Sequence, residues 1–279
     1  MDRSRTMPRL SLIVSLVLTL CGVILRTVCV LTYFDPTIGY FDAGALVIIS
    51  NWLYAVAVVV AVASACLIPK PALATELHTP MRPLVAIPVG VSFVLFTVLG
   101  FVFCYANRVG NWLILCLVLA LLASTYFFAT ATRSGQYSDK LTALGFLPVL
   151  WCIATIGETY TDLLVAINGP IKLSLQAGFI GLILILLVEL RFRLGKRAPR
   201  LAVAGMSLGS FLCLVGSVPV LAGTIAGVLT NRLYLLYAIV LLCGGVYGAY
   251  TFIYYILGSG KSSSTTASDS SLPDNGRSD

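Results

Sequence analysis

The chain has 279 residues, of which 59% are hydrophobic and only 10% are charged, whereas soluble domains typically carry about 25% charged residues. This composition excludes a water-soluble globular protein and indicates a chain that lies in a lipid bilayer. The formal net charge of +7 does not indicate nucleic-acid binding, because no segment forms a separate basic domain.

Eight apolar runs follow one another along the chain, and each is close to the roughly 20 residues that a membrane-spanning helix requires. We therefore predict an all-α polytopic transmembrane helix bundle that occupies residues 1–258. The segment 259–279 is rich in Ser, Thr, Asp and Gly and is predicted to be a disordered cytoplasmic tail. The apolar runs cover residues 10–33, 45–68, 84–105, 112–131, 141–163, 174–192, 202–227 and 233–257.

The first apolar run follows Arg3, Arg5 and Arg9, an arrangement that also begins a secretory signal peptide. Its length exceeds the signal-peptide core of about 7 to 15 residues, and no small-x-small cleavage motif follows it. We predict that this run is the first membrane helix.

The distribution of Lys and Arg between the loops predicts the orientation, because cytoplasmic loops carry an excess of positive charge. With the N-terminus in the cytoplasm, most of the 18 Lys and Arg residues fall on the cytoplasmic side. Arg108, Lys172 and Arg232 fall outside. We predict a cell (plasma) membrane protein with both termini in the cytoplasm.

The chain offers no recognisable metal site, cofactor motif or catalytic motif. Its eight cysteines lie within apolar runs, where they are expected to pack as small residues, and His78 is the single histidine. A GKS sequence ends at Ser262, but Tyr255 stands where a nucleotide-binding P-loop requires glycine. We therefore predict a protein that is not an enzyme and binds no cofactor and no nucleic acid.

Two short similarities suggest that the first four helices and the last four arose by duplication. Asn107-Arg108 resembles Asn231-Arg232, and Ser92-Phe93 resembles Ser210-Phe211. A parallel four-plus-four duplication would explain them, and chance similarity between apolar segments is the alternative.

Glycines in the seventh run form GxxxG spacings at residues 205/209 and 223/227, and prolines are expected to bend three of the helices. Small residues allow close helix packing. A gating hinge is the alternative interpretation. The three prolines are Pro88, Pro148 and Pro219.

Ionisable residues inside membrane spans are candidates for function, because burying their charge is costly. Arg26 lies in the first run, while Glu158 and Asp162 lie four residues apart in the fifth. We predict an ion pair between Arg26 and one of these carboxylates. With Asn51 and Gln176, these residues form a predicted binding pocket in the outer half of the membrane. The alternative is that each is solvated separately at the membrane interface.

The densest cationic segment follows the sixth run, where anionic lipid headgroups are the expected partner. Glu189 stands four residues before Arg193 and is expected to form an ion pair with it. The cations predicted to contact headgroups are Arg191, Arg193, Lys196, Arg197 and Arg200.

The sequence Phe34-Asp35-Pro36 with Gly39, and the ExRxRxG sequence from Glu189 before Pro199-Arg200, resemble segments of uncharacterised multi-pass membrane proteins of Gram-positive bacteria. The resemblance extends over the membrane domain and implies a location in the cell membrane. It implies no activity.

Two functional hypotheses remain open at the level of sequence. The first is a non-catalytic membrane component, such as a sensor, a scaffold or a partner subunit. The second is a small-solute transporter or permease that uses the outer polar pocket around Arg26, Glu158 and Asp162. A cavity that continues from Arg26 toward the cytoplasmic side would favour the second hypothesis.

Overall fold

The computed structural model describes residues 3–68, 82–107, 111–132, 139–161, 169–196 and 198–269. Within these residues, eight segments are helical, long and apolar enough to cross a membrane, which confirms the predicted helix bundle. The helices are α1 (Arg3–Thr32), α2 (Ala45–Leu67), α3 (Arg82–Asn107), α4 (Asn111–Thr132), α5 (Asp139–Leu144), α6 (Phe146–Thr161), α7 (Pro170–Arg193), α8 (Pro199–Ile225) and α9 (Arg232–Asp269).

A short antiparallel hairpin connects α1 to α2. Its strands β1 (Phe34–Asp35) and β2 (Tyr40–Phe41) pair Phe34 with Phe41. The Asp35 carboxylate accepts hydrogen bonds from the Thr37 backbone N–H at 2.7 Å and from its hydroxyl at 2.5 Å. These bonds favour the ionised carboxylate and lower the pKa of Asp35. The hairpin fixes Phe41 beyond the end of α1.

The fifth span is divided into α5 and α6 at Gly145 and is not continuous as predicted. Pro148 lacks the N–H that would bond to the Leu144 carbonyl, which weakens the helix at this point. A side chain at residue 145 would require Leu190 to move, because a Cβ there would lie 2.3 Å from a methyl group of Leu190. The interruption follows from the backbone, and Gly145 allows α7 to approach closely at the same point.

Helices α7 and α8 each end in a turn that requires glycine. Gly195 and Gly227 have positive φ angles of 69° and 74°, and the residue after each donates a backbone hydrogen bond to the carbonyl five residues earlier. This arrangement is a Schellman motif. Gly227 therefore ends α8 and does not pack inside it, so only the first predicted GxxxG pair lies within the helix.

The core of the bundle forms where α3, α4, α6, α7 and α9 meet. Trp151 is fully buried there, with its ring centroid 4.6 Å from that of Phe93, 5.6 Å from that of Phe96 and 5.5 Å from that of Phe179. Edge-to-face contacts of this kind are favourable beyond the apolar area that they bury. Residues distant in sequence thus join one aromatic core.

Helices α1 and α2 pack beside this core, mainly against each other and against α8. In the second half of the bundle, α6, α7, α8 and α9 each contact the next helix, whereas α2 and α3 make no comparable contact within the described residues. The packing therefore does not repeat between the two halves. The duplication and the orientation of the termini stay predictions.

Helix α9 continues to Asp269, into the segment predicted to be a disordered tail. Residues 270–279 lie outside the described part of the chain. The domain boundary after residue 258 stays a prediction.

Candidate functional site

Arg26 is buried near the end of α1, and its guanidinium connects three helices. Only 4% of the residue is exposed. Its Nη1 donates to Asn51 Oδ1 at 3.0 Å and to Ser50 Oγ at 3.5 Å, both on α2. Its Nη2 donates to the Pro170 carbonyl at 3.2 Å and to Ser174 Oγ at 3.0 Å, both on α7. One side chain of α1 therefore joins α2 to α7.

Two aromatic rings flank the same guanidinium. Its central carbon lies 4.6 Å from the Phe41 ring centroid and 6.0 Å from the Tyr54 ring centroid, and such contacts stabilise a cation. Within the described part of the chain, the buried Nε of Arg26 has no hydrogen-bond partner. Since a buried donor without an acceptor is unfavourable, this N–H adds to the cost of burying the Arg26 guanidinium.

The guanidinium faces a cleft of about 520 Å³ between α2 and α7. We name it the arginine cleft. The hairpin residues Tyr40 and Phe41 lie at one end of it. It is lined by Arg26, Tyr40, Phe41, Val47, Asn51, Tyr54, Pro170, Leu173, Ser174 and Ala177.

The hydrogen-bond acceptors of Arg26 in the described structure are all neutral: two hydroxyls, one amide oxygen and one backbone carbonyl. A buried guanidinium is usually paired with a carboxylate, because an uncompensated buried charge is costly. The described residues give Arg26 no such partner. The arginine cleft is therefore suited to an anionic group from outside the chain.

The predicted pocket is brought together only in part. Arg26 and Asn51 meet as expected, together with Tyr54. The predicted ion pair between Arg26 and Glu158 is wrong, because Glu158 instead accepts a hydrogen bond from the Tyr237 hydroxyl at 2.7 Å. Asp162 lies outside the described residues.

Helix α7 explains why these groups separate. Pro170, Ser174 and Ala177 lie on the face that lines the arginine cleft, because residues four and seven apart share a helix face. Two residues correspond to about 200° of rotation, so Lys172 lies on the opposite face. Helix α7 therefore stands between the arginine cleft and a second polar group.

That second polar group lies between α6, α7 and α9. The Lys172 ammonium is fully buried and donates to the Tyr160 carbonyl at 3.4 Å. The Gln176 amide donates to Thr159 Oγ1 at 3.3 Å. Gln176 therefore belongs to the environment of Glu158 and not to the arginine cleft, which corrects its predicted position.

A third polar cluster lies at the opposite end of α7. Arg193 and Glu189 form the predicted ion pair at 2.8 Å, with both side chains almost fully buried. The Tyr247 hydroxyl donates to the other carboxylate oxygen of Glu189 at 2.7 Å, and Arg193 donates to Thr130 Oγ1 at 3.3 Å. We name these four residues the inner ion-pair cluster.

The burial of Arg193 corrects one part of the predicted lipid contact. Its guanidinium is directed into the bundle, where it also lies 5.5 Å from the Tyr126 ring centroid. The other described cations of this segment, Arg191, Lys196 and Arg200, are exposed. Arg197 lies outside the described residues.

Several residues of the site were not found by sequence analysis. Ser50, Ser174 and Phe41 contact the guanidinium, but hydroxyls and aromatic rings are common in membrane helices and loops. The spacing of Pro170 and Ser174 places them on one helix face, which is the signal that could have identified them. Nothing in the sequence identifies which helix this face contacts.

Next to the arginine cleft, toward the middle of the bundle, α2 and α8 pack closely against each other. The Tyr54 ring meets the edge of the Phe211 ring at a centroid distance of 5.8 Å, and Phe211 packs with Ala57 and Val215. The small cavity lined by Ser15, Ala57 and Phe211 holds only about 10 Å³. Aromatic and aliphatic side chains thus separate the cleft from the deeper part of α8.

No family model, curated protein or solved structure matches this chain. Its function is therefore inferred from the contacts within the chain.

Proposed function

We propose that this polytopic membrane protein is a non-catalytic membrane component, a sensor or partner subunit, that binds an anionic ligand in the arginine cleft. The observation that carries the proposal is the buried Arg26 guanidinium, whose acceptors among the described residues are all neutral. The cleft volume of about 520 Å³ lies within the range of small-molecule sites, about 300 to 1,000 Å³.

The contacts of Arg26 provide a route from binding to conformational change. Its two terminal nitrogens hold α2 through Asn51 and α7 through Ser174. An anion that accepts hydrogen bonds from the guanidinium competes with these contacts and changes the relative stability of the α2 and α7 positions. A ligand shifts such an equilibrium by its difference in affinity for the two states.

Support for a non-catalytic role comes from the residues that line the cleft. They supply one cation, three hydroxyls and one side-chain amide. General acid–base catalysis usually requires a histidine, carboxylate or lysine near the reacting group. The described lining residues favour binding.

The transporter hypothesis is the second candidate, and the size of the cleft is the observation that favours it. In this case the cleft is the outward-facing binding site of a solute. The Tyr54–Phe211 contact would then have to open during transport. Glu158 would not take part in this site.

Ligand binding is tested by the thermal stability of the purified protein with inorganic phosphate, acetate or decyl phosphate. We expect one of these anions to raise the Tm of the wild type by several degrees at saturation, and to have little effect on Arg26→Gln. Arg232→Gln removes an exposed cation elsewhere and should respond like the wild type. Equal responses of wild type and Arg26→Gln would contradict the proposed site.

Transport is tested by uptake of the same radiolabelled anion into proteoliposomes. The sensor or partner-subunit proposal expects no saturable uptake. Saturable uptake by the wild type that is lost in Arg26→Gln would establish the transporter hypothesis instead.

We further infer that the chain resides in the plasma membrane with both termini in the cytoplasm. The charge distribution and the resemblance to Gram-positive membrane proteins support this location. We propose that the exposed cations Arg191, Lys196 and Arg200 contact anionic headgroups there, since cytoplasmic leaflets are negatively charged.

A further inference from the structure

The route into the arginine cleft indicates where its ligand comes from. The Phe41 ring lies against the guanidinium at 4.6 Å, on a hairpin located beyond the end of α1. This ring therefore covers Arg26 from the nearer end of the bundle. Among the described residues, the open side of the cleft lies between α2 and α7, which make no substantial contact with each other.

The side chains along this approach suit a ligand that is apolar along part of its length. Val47 and Leu173 line opposite walls of the cleft, and Leu173 is 48% exposed. Asn51 is also exposed, although it lies within a membrane span. The cleft therefore combines a polar part at the Arg26 guanidinium with apolar walls formed by Val47 and Leu173.

The position of Arg26 along α1 corresponds to a depth just inside the hydrocarbon boundary, within reach of lipid headgroups. The first span, Thr6–Thr32, has 27 residues and is about 40 Å long at 1.5 Å per residue. The hydrocarbon core is about 30 Å thick, so the helix extends about 5 Å beyond it at each end. Arg26 lies six residues before Thr32, or about 9 Å along the helix, which places its guanidinium close to the hydrocarbon boundary.

We propose that the ligand of the arginine cleft is the headgroup phosphate of an anionic membrane lipid, which reaches Arg26 sideways between α2 and α7. This inference rests on the proposed function. The phosphate oxygens accept hydrogen bonds from the Arg26 guanidinium in competition with Asn51 and Ser174. The upper part of an acyl chain lies along Val47, Leu173 and Ala177.

This arrangement selects between lipids by charge. An anionic headgroup compensates the buried guanidinium, whereas a zwitterionic headgroup brings a quaternary ammonium group near the same cation. Each cation near the membrane surface contributes about 1 kcal/mol to the binding of an acidic lipid, equivalent to roughly fivefold in affinity. The cleft should therefore prefer phosphatidylglycerol to phosphatidylcholine with the same acyl chains by about fivefold or more.

Native mass spectrometry of the full chain in detergent provides the test. Phosphatidylglycerol and phosphatidylcholine with identical acyl chains compete for the protein, and the ratio of their dissociation constants is measured. We expect the preference of the wild type to fall to about one in Arg26→Gln. Arg232→Gln removes an exposed cation of α9 that is not among the proposed headgroup contacts and should keep the preference.

A second variant is needed because Arg26 also holds three helices together, so that Arg26→Gln could lose the lipid preference by unfolding. Ala177 lines the cleft and makes none of the hydrogen bonds of Arg26, so we expect Ala177→Phe to fill the cleft without removing them. It should abolish the lipid preference at an unchanged Tm. A preference that persists in Ala177→Phe would overturn the lipid assignment.

Inorganic phosphate separates a lipid headgroup from a free anion. If phosphate raises the Tm of the wild type through Arg26 and no lipid preference exists, the cleft binds a soluble anion and the lipid inference is overturned. If neither phosphate nor phosphatidylglycerol acts through Arg26, both the inference and the proposed function fail.

Discussion

At the scale of single residues, two buried arginines of this membrane protein differ in the groups that accept their hydrogen bonds. Arg26 and Arg193 are both buried arginines near opposite ends of the bundle. Arg193 has a carboxylate partner in Glu189, whereas the described acceptors of Arg26 are neutral. The inner ion-pair cluster is consequently complete within the chain, and the arginine cleft is suited to a ligand.

The Tyr247 hydroxyl provides a test of the inner ion-pair cluster. Tyr247→Phe removes a donor that lies 2.7 Å from Glu189, so we expect the free energy of unfolding to fall by about 1 kcal/mol. Unfolding in mixed detergent micelles measures this change. Tyr105→Phe alters a hydroxyl on a 93% exposed residue and should have almost no effect, and equal effects of the two substitutions would contradict the proposed role of Tyr247.

Sequence analysis identified Arg26 because charged residues inside apolar runs are rare and costly. One of the two predicted partners, Glu158, does not pair with Arg26, because depth along two helices does not determine which faces meet. Glu158 is half-buried and bonded to Tyr237 of α9, on the far side of α7 from Arg26. The rotation of α7 about its own axis is a property of the packed bundle.

At the scale of helices, close backbone contact explains the glycines of α8. A Cβ added at Gly209 would lie 2.6 Å from the Gly181 carbonyl oxygen of α7. A Cβ added at Gly205 would lie 2.6 Å from a methyl group of Val188. The first contact involves backbone, which cannot move alone, while the second involves a side chain.

The two glycines of the GxxxG spacing should therefore differ in their tolerance of alanine. We expect Gly209→Ala to lower the free energy of unfolding by about 1 to 3 kcal/mol through overpacking. Gly205→Ala is the matched control and should have a smaller effect, because Val188 can rotate. Unfolding of both variants in detergent measures the difference, and a larger effect of Gly205→Ala would show that the backbone contact does not limit packing.

At the scale of the whole molecule, one aromatic core unites helices from both halves of the chain. Trp151 of α6 contacts Phe93 and Phe96 of α3 and Phe179 of α7. These rings are almost fully buried. The core therefore depends on side chains that only the folded bundle brings together.

Removal of the central indole should destabilise the bundle strongly. We expect Trp151→Ala to lower the free energy of unfolding by about 3 to 5 kcal/mol, since it leaves a large cavity. Trp52 is 67% exposed, and Trp52→Ala should change stability by less than about 0.5 kcal/mol. Unfolding in detergent distinguishes the two, and a mild effect of Trp151→Ala would refute the central position of this ring.

The orientation of the whole protein is tested by labelling single cysteines in intact cells after the native cysteines have been replaced. Asp42→Cys lies in the exposed hairpin and should react with a membrane-impermeant maleimide added outside. Glu76→Cys lies in the predicted cytoplasmic loop and should react only after permeabilisation. The reverse pattern would invert the predicted topology.

The sequence by itself determined the number of membrane spans, the shortness of the segments that connect them and the position of Arg26 inside the first span. These properties follow from local composition, because a spanning helix satisfies its own backbone hydrogen bonds and needs only sufficient apolar length. Only the tertiary structure decided that Arg26 meets Asn51 and Ser174 while Glu158 meets Tyr237. Those partners depend on how each helix is rotated about its axis in the bundle. Because almost every helix face is apolar, the pattern of hydrophobic residues does not determine that rotation.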